Sequence, residues 1–380
     1  MIVMPLRFAP MRLVLMLAAC VGCPGIARAD DDVARVRRAT AYLDARQDAW
    51  ARFPYAQHGQ GSDRTSCVSC HTAMPYACAR AASGRFTGET YPSPQTKRML
   101  DQVSLRVAHW DELDSPRFRL LSDSDARKKV ESRGTEAVLN TLILALDDAA
   151  RGRKSPGEST RAALRHLWAT QSAAGDDAGS WEWFNFGEEP WEADDSRAFG
   201  AALAAIAIGS SPGYRTGTLR DAEARGVERL RSYLRRRLPV ETMYNRVWIL
   251  FASTVWEGLL TTDEQRAVVA QMLAKQRADG GWALATLGPY ERIDGSAQPR
   301  DSDAYATGLV LHVLWRSQAG GVQPAFAKGR AWLLTHQRDD GSWPASSMNK
   351  RHDPSSMVGK FMSDAGTAFA ALVIAETTPP

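Results

Sequence analysis

The chain has few cysteines, little net charge and no long hydrophobic run. Five cysteines in 380 residues are too few for a disulfide-stapled scaffold, and the formal net charge is only +4. Residues 1–29 contribute three arginines and no acidic residue, so the rest of the chain holds 44 basic and 43 acidic residues. A chain so nearly neutral is not expected to bind nucleic acid or an anionic membrane through its charge.

The first 29 residues predict an export signal and therefore a periplasmic protein. Two arginines precede a short apolar run over 13–21, and residues 27–29 place alanines where signal peptidase reads small side chains. A second interpretation is a lipobox ending at Cys20, which would anchor the protein through a lipid. The apolar run is too short for a permanent membrane helix, and no later stretch approaches ~20 apolar residues, so no transmembrane segment is predicted.

Three residues form a C-x-x-C-H motif: Cys67, Cys70 and His71. This is the attachment signature of c-type haem, in which two thiols bond the two vinyl groups of one porphyrin and the histidine ligates iron. Behind an export signal it predicts one covalent haem c. A thioredoxin-like pair would need a βαβ context, and half of a zinc site would leave Cys78 and His58 as an irregular second half. Cys78 is otherwise expected to be a small buried residue on a helix.

Near copies of one motif recur along the chain. The segments 276–282 and 337–343 both begin with Gln, end with Gly-x-Trp and lie 61 residues apart. A longer variant covers 171–181, and a decayed one covers 47–50. An amphipathic helix is predicted before each intact copy. The repeat indicates a modular helical protein.

A second, more apolar helix is predicted after each motif, beyond a loop that carries acids. The segments 198–208, 304–314 and 365–375 are apolar on all sides, which implies burial all round. Two weaker segments, 132–146 and 242–260, are further candidates for such inner helices. The sum is about six helix pairs of roughly 50–60 residues each, an array of two-helix repeats.

These motifs resemble the Gln-Trp repeats of the squalene-hopene cyclase and protein prenyltransferase β-subunit superfamily, strongly over 160–376 and weakly before that. The resemblance implies an all-α fold, an α/α toroid with an inner ring, an outer ring and a central cavity. A generic helical solenoid with tryptophans in its core is the other interpretation. The expected organisation is a signal peptide over 1–29, a first toroid unit with the haem motif over 30–110, and the remaining repeats over 111–380.

The haem motif occupies the position where other units carry their acids. The resemblance implies that inner helices begin at the mouth of the cavity, so we expect the haem at the rim or inside it. Ring closure would place the last unit beside the first. An iron with an open sixth position is one alternative; otherwise the sixth-ligand candidates are Met348, His352, Met357, Met362, His58 and His109.

Two acid clusters resemble the Asp-x-Asp-Asp motif with which class II terpene cyclases protonate their substrates. Asp301 and Asp303 lack the fourth acid, and Asp194 and Asp195 follow a glutamate at the first position. Neither copy is intact. These four aspartates are candidates for catalysis, and the competing interpretation is helix N-capping.

The resulting prediction is an exported monohaem c-type cytochrome that transfers electrons to or from a redox protein or a small molecule. Its cavity is expected to hold an apolar molecule. The alternatives are a haem-dependent oxidase or peroxidase acting on an isoprenoid or other lipid, a haem sensor without turnover, and, least favoured, a class II terpene cyclase. No nucleic-acid partner is expected.

Overall fold

The computed structural model describes residues 24–113, 115 and 126–379. Residues 1–23 of the predicted signal lie outside the described residues. Its last six residues, 24–29, form the start of the first helix. Over the described ranges there are twelve α-helices and one two-stranded antiparallel hairpin. The helices are α1 (Pro24–Arg52), α2 (Ala73–Thr87), α3 (Pro94–Ala108), α4 (Ala126–Ala150), α5 (Glu158–Ala169), α6 (Ser196–Ser210), α7 (Asp221–Arg237), α8 (Met243–Val255), α9 (Thr262–Ala274), α10 (Ala304–Ser317), α11 (Gln323–Thr335) and α12 (Phe361–Thr377). The strands are β1 (Gln57–His58) and β2 (Thr65–Ser66).

The six even-numbered helices form a closed inner ring. Each contacts its two even-numbered neighbours, and α12 contacts α2 to complete the circle. The odd-numbered helices lie outside and pack against this ring. The inner helices α6, α10 and α12 are largely buried because they are apolar on nearly all sides; in α6, only a few residues near the two ends reach solvent. The prediction of an α/α toroid with six helix pairs is confirmed.

The Gln-Trp motifs fasten neighbouring outer helices together. The Trp282 indole nitrogen donates to the Met272 carbonyl at 2.8 Å, and the Gln276 amide donates to the Ala325 carbonyl in the next outer helix at 2.7 Å. The copy over 337–343 and the longer variant over 171–181 repeat this pattern. In the decayed copy, the Trp50 indole donates instead to the carbonyl of Cys67, at 2.8 Å.

The ring seam is the contact between the last repeat and α1. The Gln337 amide donates to the Arg35 carbonyl at 3.0 Å, and Arg330 pairs with Asp32 at 2.6 Å. Gly341 approaches α1 so closely that a Cβ atom there would lie 2.4 Å from the Arg38 carbonyl oxygen. The seam therefore depends on a glycine at this position.

Replacing Gly341 with alanine is expected to lower the free energy of unfolding by about 3 kcal/mol, because left-handed strain adds to a clash with α1. Gly295 is the matched control: its φ of 70° resembles the 86° of Gly341, but a Cβ atom there meets nothing within 4 Å. Gly295→Ala is expected to cost only about 1 kcal/mol. Chemical denaturation of both variants checks this, and equal losses would contradict the seam contact.

One described segment, Val358–Thr377, is long and apolar enough to match a membrane span by composition. It consists mostly of α12, whose residues are largely buried in the inner ring. The segment 53–66 between α1 and α2 contains the β1–β2 hairpin, in which Gln57 pairs with Ser66.

Candidate functional site

The C-x-x-C-H segment forms the entry to inner helix α2. The Ser69 hydroxyl accepts hydrogen bonds from the backbone nitrogens of Thr72 and Ala73 at 3.2 and 3.0 Å. A serine that accepts from the first turn in this way satisfies free backbone donors at a helix start. The Cys67 backbone nitrogen donates to the Ala56 carbonyl at 2.9 Å. The segment is thus held between the hairpin and the helix.

This segment borders an open cavity of about 240 Å³ at the N-terminal ends of inner helices. Cys67 and His71 line the cavity, whereas Cys70 is 1% exposed and is not part of the wall. The aromatic part of the wall comprises Trp50, Phe53, Phe184, Phe186, Trp191 and Phe361. The main titratable part comprises His58, Glu136, Glu188, Glu189, Glu192 and His352. The lining of this cavity suits a mainly apolar group with a few polar contacts.

The His71 ring is held by aromatic neighbours. It stacks on Phe361 with a centroid distance of 3.6 Å and meets Trp50 edge to face at 4.8 Å. Burial, and to a lesser degree the Arg46 guanidinium, lowers the pKa of His71 to about 3. The imidazole is therefore neutral at physiological pH, the form that ligates metals.

A hydrogen-bonded chain fixes the tautomer of His71. The Thr72 hydroxyl donates to Asp364 Oδ2 at 2.8 Å and lies 2.9 Å from His71 Nδ1. Because a hydroxyl has one hydrogen, the Thr72 oxygen accepts from Nδ1–H, which leaves the lone pair on Nε2. Asp364 also accepts from Arg46 Nε at 2.7 Å and from the Tyr42 hydroxyl at 2.9 Å.

Among the described residues, Cys67, Cys70 and Cys78 form no disulfide. Burial raises the pKa of Cys67 to about 12, and burial followed by the charge of Glu192 raises the pKa of Cys70 well above its ordinary value. Cys78 is half-buried on α2, where its thiol donates to Met74 Sδ at 3.8 Å. That position agrees with the expected small residue on a helix face.

A buried ion pair supports the wall beside Cys67. Arg106 donates twice to Glu136, at 2.6 and 2.7 Å, and also to the Thr65 hydroxyl of β2 at 2.8 Å. The Arg106 side chain is fully buried and that of Glu136 is 7% exposed. The pair thus ties α3, α4 and the hairpin together at the cavity. Its partners were not identifiable from the sequence.

The predicted sixth ligands separate into two groups. Met362, His352 and His58 line the cavity. Three others do not line it: Met357 Sδ accepts from Arg46 at 3.2 Å, Met348 is buried, and His109 pairs with Glu112. Among the described residues, no group of three or more His, Cys, Asp and Glu side chains is arranged to hold a bare metal ion.

The four predicted catalytic aspartates lie away from the cavity wall in the described structure. Asp303 caps α10 by accepting from the Ala306 nitrogen at 2.9 Å, and Asp195 accepts from the Thr242 hydroxyl at 3.2 Å. Asp194 and Asp301 are exposed. Capping explains Asp303, and a catalytic role for the four aspartates stays a prediction.

Two glutamates on the cavity wall have strongly perturbed acidity. Burial, followed by the charge of Asp195, raises the pKa of Glu189 to about 7. Burial, followed by Glu188, raises the pKa of Glu192 to about 7. In the sequence, Glu192 is only the glutamate that replaces the first aspartate of the acid motif containing Asp194 and Asp195. Its first position in that motif was the one signal that could have marked it.

The ring of six helix pairs and the cavity at its inner-helix N-termini define an α/α toroid protein. Among solved structures, a glycosidase variant in complex with glucose is similar at 13% identity, with a TM-score of 0.55 over 92% of this chain and 97% of its own. A second glycosidase variant gives 12% identity, the same coverages and 0.54. The apo type II terpene cyclase MstE from Scytonema gives 16% identity and 0.49 over 92% and 99%.

These likenesses concern the fold alone, because the identities are low. No protein-family model matches the chain, and no curated protein matches it in sequence.

Proposed function

We propose that this chain is an exported protein with one covalent haem c that transfers electrons. Cys67 and Cys70 would attach the haem, and His71 would ligate its iron. The observation that carries the proposal is the state of His71, a neutral imidazole on the cavity wall. Its Nδ1 is engaged by Thr72, which leaves the lone pair on Nε2. A histidine ligand needs this tautomer to bind iron through Nε2.

The surrounding residues suit a porphyrin. Aromatic side chains supply apolar contact surface, and a thiol and an imidazole lie on the same wall. Cys70 is the less well placed of the two attachment residues, since its thiol is buried off the wall. When bound, a haem supplies one-electron redox chemistry. The protein orients the iron ligand through Phe361 and Trp50 and keeps it neutral by burial.

His58, His352 and Met362 are the candidates for a sixth ligand that share the cavity with His71. Met362 directly follows Phe361, which stacks on the His71 ring. His352 comes from the separate loop before α12. Burial lowers the pKa of His352, which favours the neutral, ligating form.

The test is expression of the full chain in a bacterium with a working haem c maturation system. We expect the purified protein to gain the mass of one haem and to keep the reduced haem spectrum after denaturation. An exported protein without covalent haem would overturn the proposal. The response to carbon monoxide then separates electron transfer, with a filled sixth position, from oxidase, peroxidase or sensor chemistry, with an open one.

A second candidate function is acid catalysis on an apolar substrate. The observation that favours it is the pair Glu189 and Glu192, which line an aromatic cavity and hold their protons near neutral pH. A buried carboxylic acid of this kind can donate its proton to a substrate in the cavity. Acid catalysis by Glu192 requires that its carboxyl group be protonated at the pH of the reaction.

The acidity of Glu192 can be measured through stability. The folded state holds this proton more tightly than the unfolded chain, so stability falls as the pH rises from about 4.5 to about 7. Glu192→Gln removes that loss and is expected to be more stable than wild type above pH 7, by up to about 3 kcal/mol, with little difference below pH 4.5.

Denaturation at both pH values, with exposed Glu291→Gln as the control, makes the measurement. A stability difference that is independent of pH would rule out a protonated Glu192.

A further inference from the structure

The ring seam reaches the proposed iron ligand through one hydrogen-bonded chain. Arg46 and Tyr42 of α1 both donate to Asp364 of α12, and Thr72 connects Asp364 to His71. Asp364 is 1% exposed and Thr72 is 2% exposed, so the hydrogen bonds between them are shielded from water. The first helix, the last helix and the haem motif therefore meet at a single carboxylate.

We infer that Thr72 and Asp364 are positioning residues that set the basicity of His71 and thereby the reduction potential of the iron. The inference rests on the proposed haem function. A ligating histidine that donates its other N–H toward a carboxylate becomes a stronger electron donor to the metal. A stronger donor stabilises the ferric state and lowers the potential. In this chain the carboxylate acts through the Thr72 hydroxyl rather than directly.

Thr72 is the link that can be removed cleanly. Asp364 is paired with Arg46 at 2.7 Å, so replacing Asp364 would also free a buried guanidinium and change the local charge. Thr72 carries no charge, and its side chain makes no capping hydrogen bond to α2 although it occupies the N-cap position. Thr72→Val therefore removes the hydrogen bonds that connect His71 with Asp364 and leaves the ion pair between Arg46 and Asp364 in place.

The experiment measures the midpoint potential of the holoprotein by spectroelectrochemistry. Thr72→Val is expected to favour the ferrous state about tenfold, a rise of ~59 mV for a one-electron couple. Thr72→Ser keeps a hydroxyl and is expected to stay near the wild-type potential. Thr141→Val is the matched control, because this buried hydroxyl bonds only to the Ala137 carbonyl within α4. Its potential is expected to be unchanged.

A second measurement needs no haem. In the full chain expressed without haem maturation, ¹⁵N spectra of labelled histidine are expected to show His71 protonated on Nδ1. The opposite tautomer would overturn the inference even if Thr72→Val fails to fold. Haem present with an unchanged potential in Thr72→Val would overturn the relay alone, whereas absence of covalent haem in the wild type would overturn the proposed function and the relay with it.

Discussion

Arg106→Met is expected to lower the free energy of unfolding by about 3–5 kcal/mol at neutral pH. The substitution leaves Glu136 charged and buried without its counterion, which costs far more than the packing lost. It also removes the hydrogen bond to Thr65 that holds the hairpin leading to Cys67. Chemical denaturation at pH 7 measures the loss.

Arg98 on the same helix is the matched control. It pairs with Asp48 at 2.7 Å but is 53% exposed, so Arg98→Ala is expected to cost less than about 1 kcal/mol. Replacing Arg106 and Glu136 together with methionine is expected to restore much of the stability, because no unpaired charge then stays buried. A loss for Arg106→Met as small as that for Arg98→Ala would contradict the buried pair.

The effect of Arg106→Met should depend on pH with a defined sign. In the wild type, burial acts to raise the pKa of Glu136, but Arg106 outweighs it and the net shift is downward. The pair thus stabilises the fold above the ordinary pKa of a glutamate and loses this contribution as the pH falls through the depressed value. Without Arg106, burial alone favours a protonated Glu136. The variant's deficit is therefore expected to shrink as the pH is lowered.

The proposed haem would be attached through Cys67 and Cys70, so replacing both with alanine is expected to abolish covalent haem. Cys78→Ala is the control and is expected to keep the full haem content, since Cys78 sits further along α2 against Met74. Cys70→Ala alone is expected to retain haem through the Cys67 thioether, which lies on the cavity wall.

Haem content after acid–acetone extraction, read by mass and by absorbance, distinguishes these variants. Full retention of covalent haem in the double variant would show that the attachment residues lie elsewhere. Complete loss in Cys78→Ala would show that this thiol is part of the attachment.

The repeat pattern was sufficient to predict the fold. Apolar segments such as 198–208 and 365–375 predict buried inner helices. The motifs ending at Trp282 and Trp343 mark the contacts between neighbouring outer helices. These features are legible because helix burial and the Gln-Trp contacts repeat at a nearly constant spacing along the chain. The C-x-x-C-H motif is recognisable because its three groups lie within five residues, and its role in haem attachment stays a prediction.

The sequence by itself therefore determined the helical class and the number of helix pairs, and it predicted a local attachment motif for haem. Tertiary structure alone decided which side chains share the cavity. Thr72 meets Asp364 across 292 positions, and Glu192 reaches the wall beside Cys67 from another repeat. Ring closure creates these contacts, and the repeat pattern of the sequence does not predict them. It also set the acidity of Glu192 and His71, because desolvation depends on how the whole ring closes around each group.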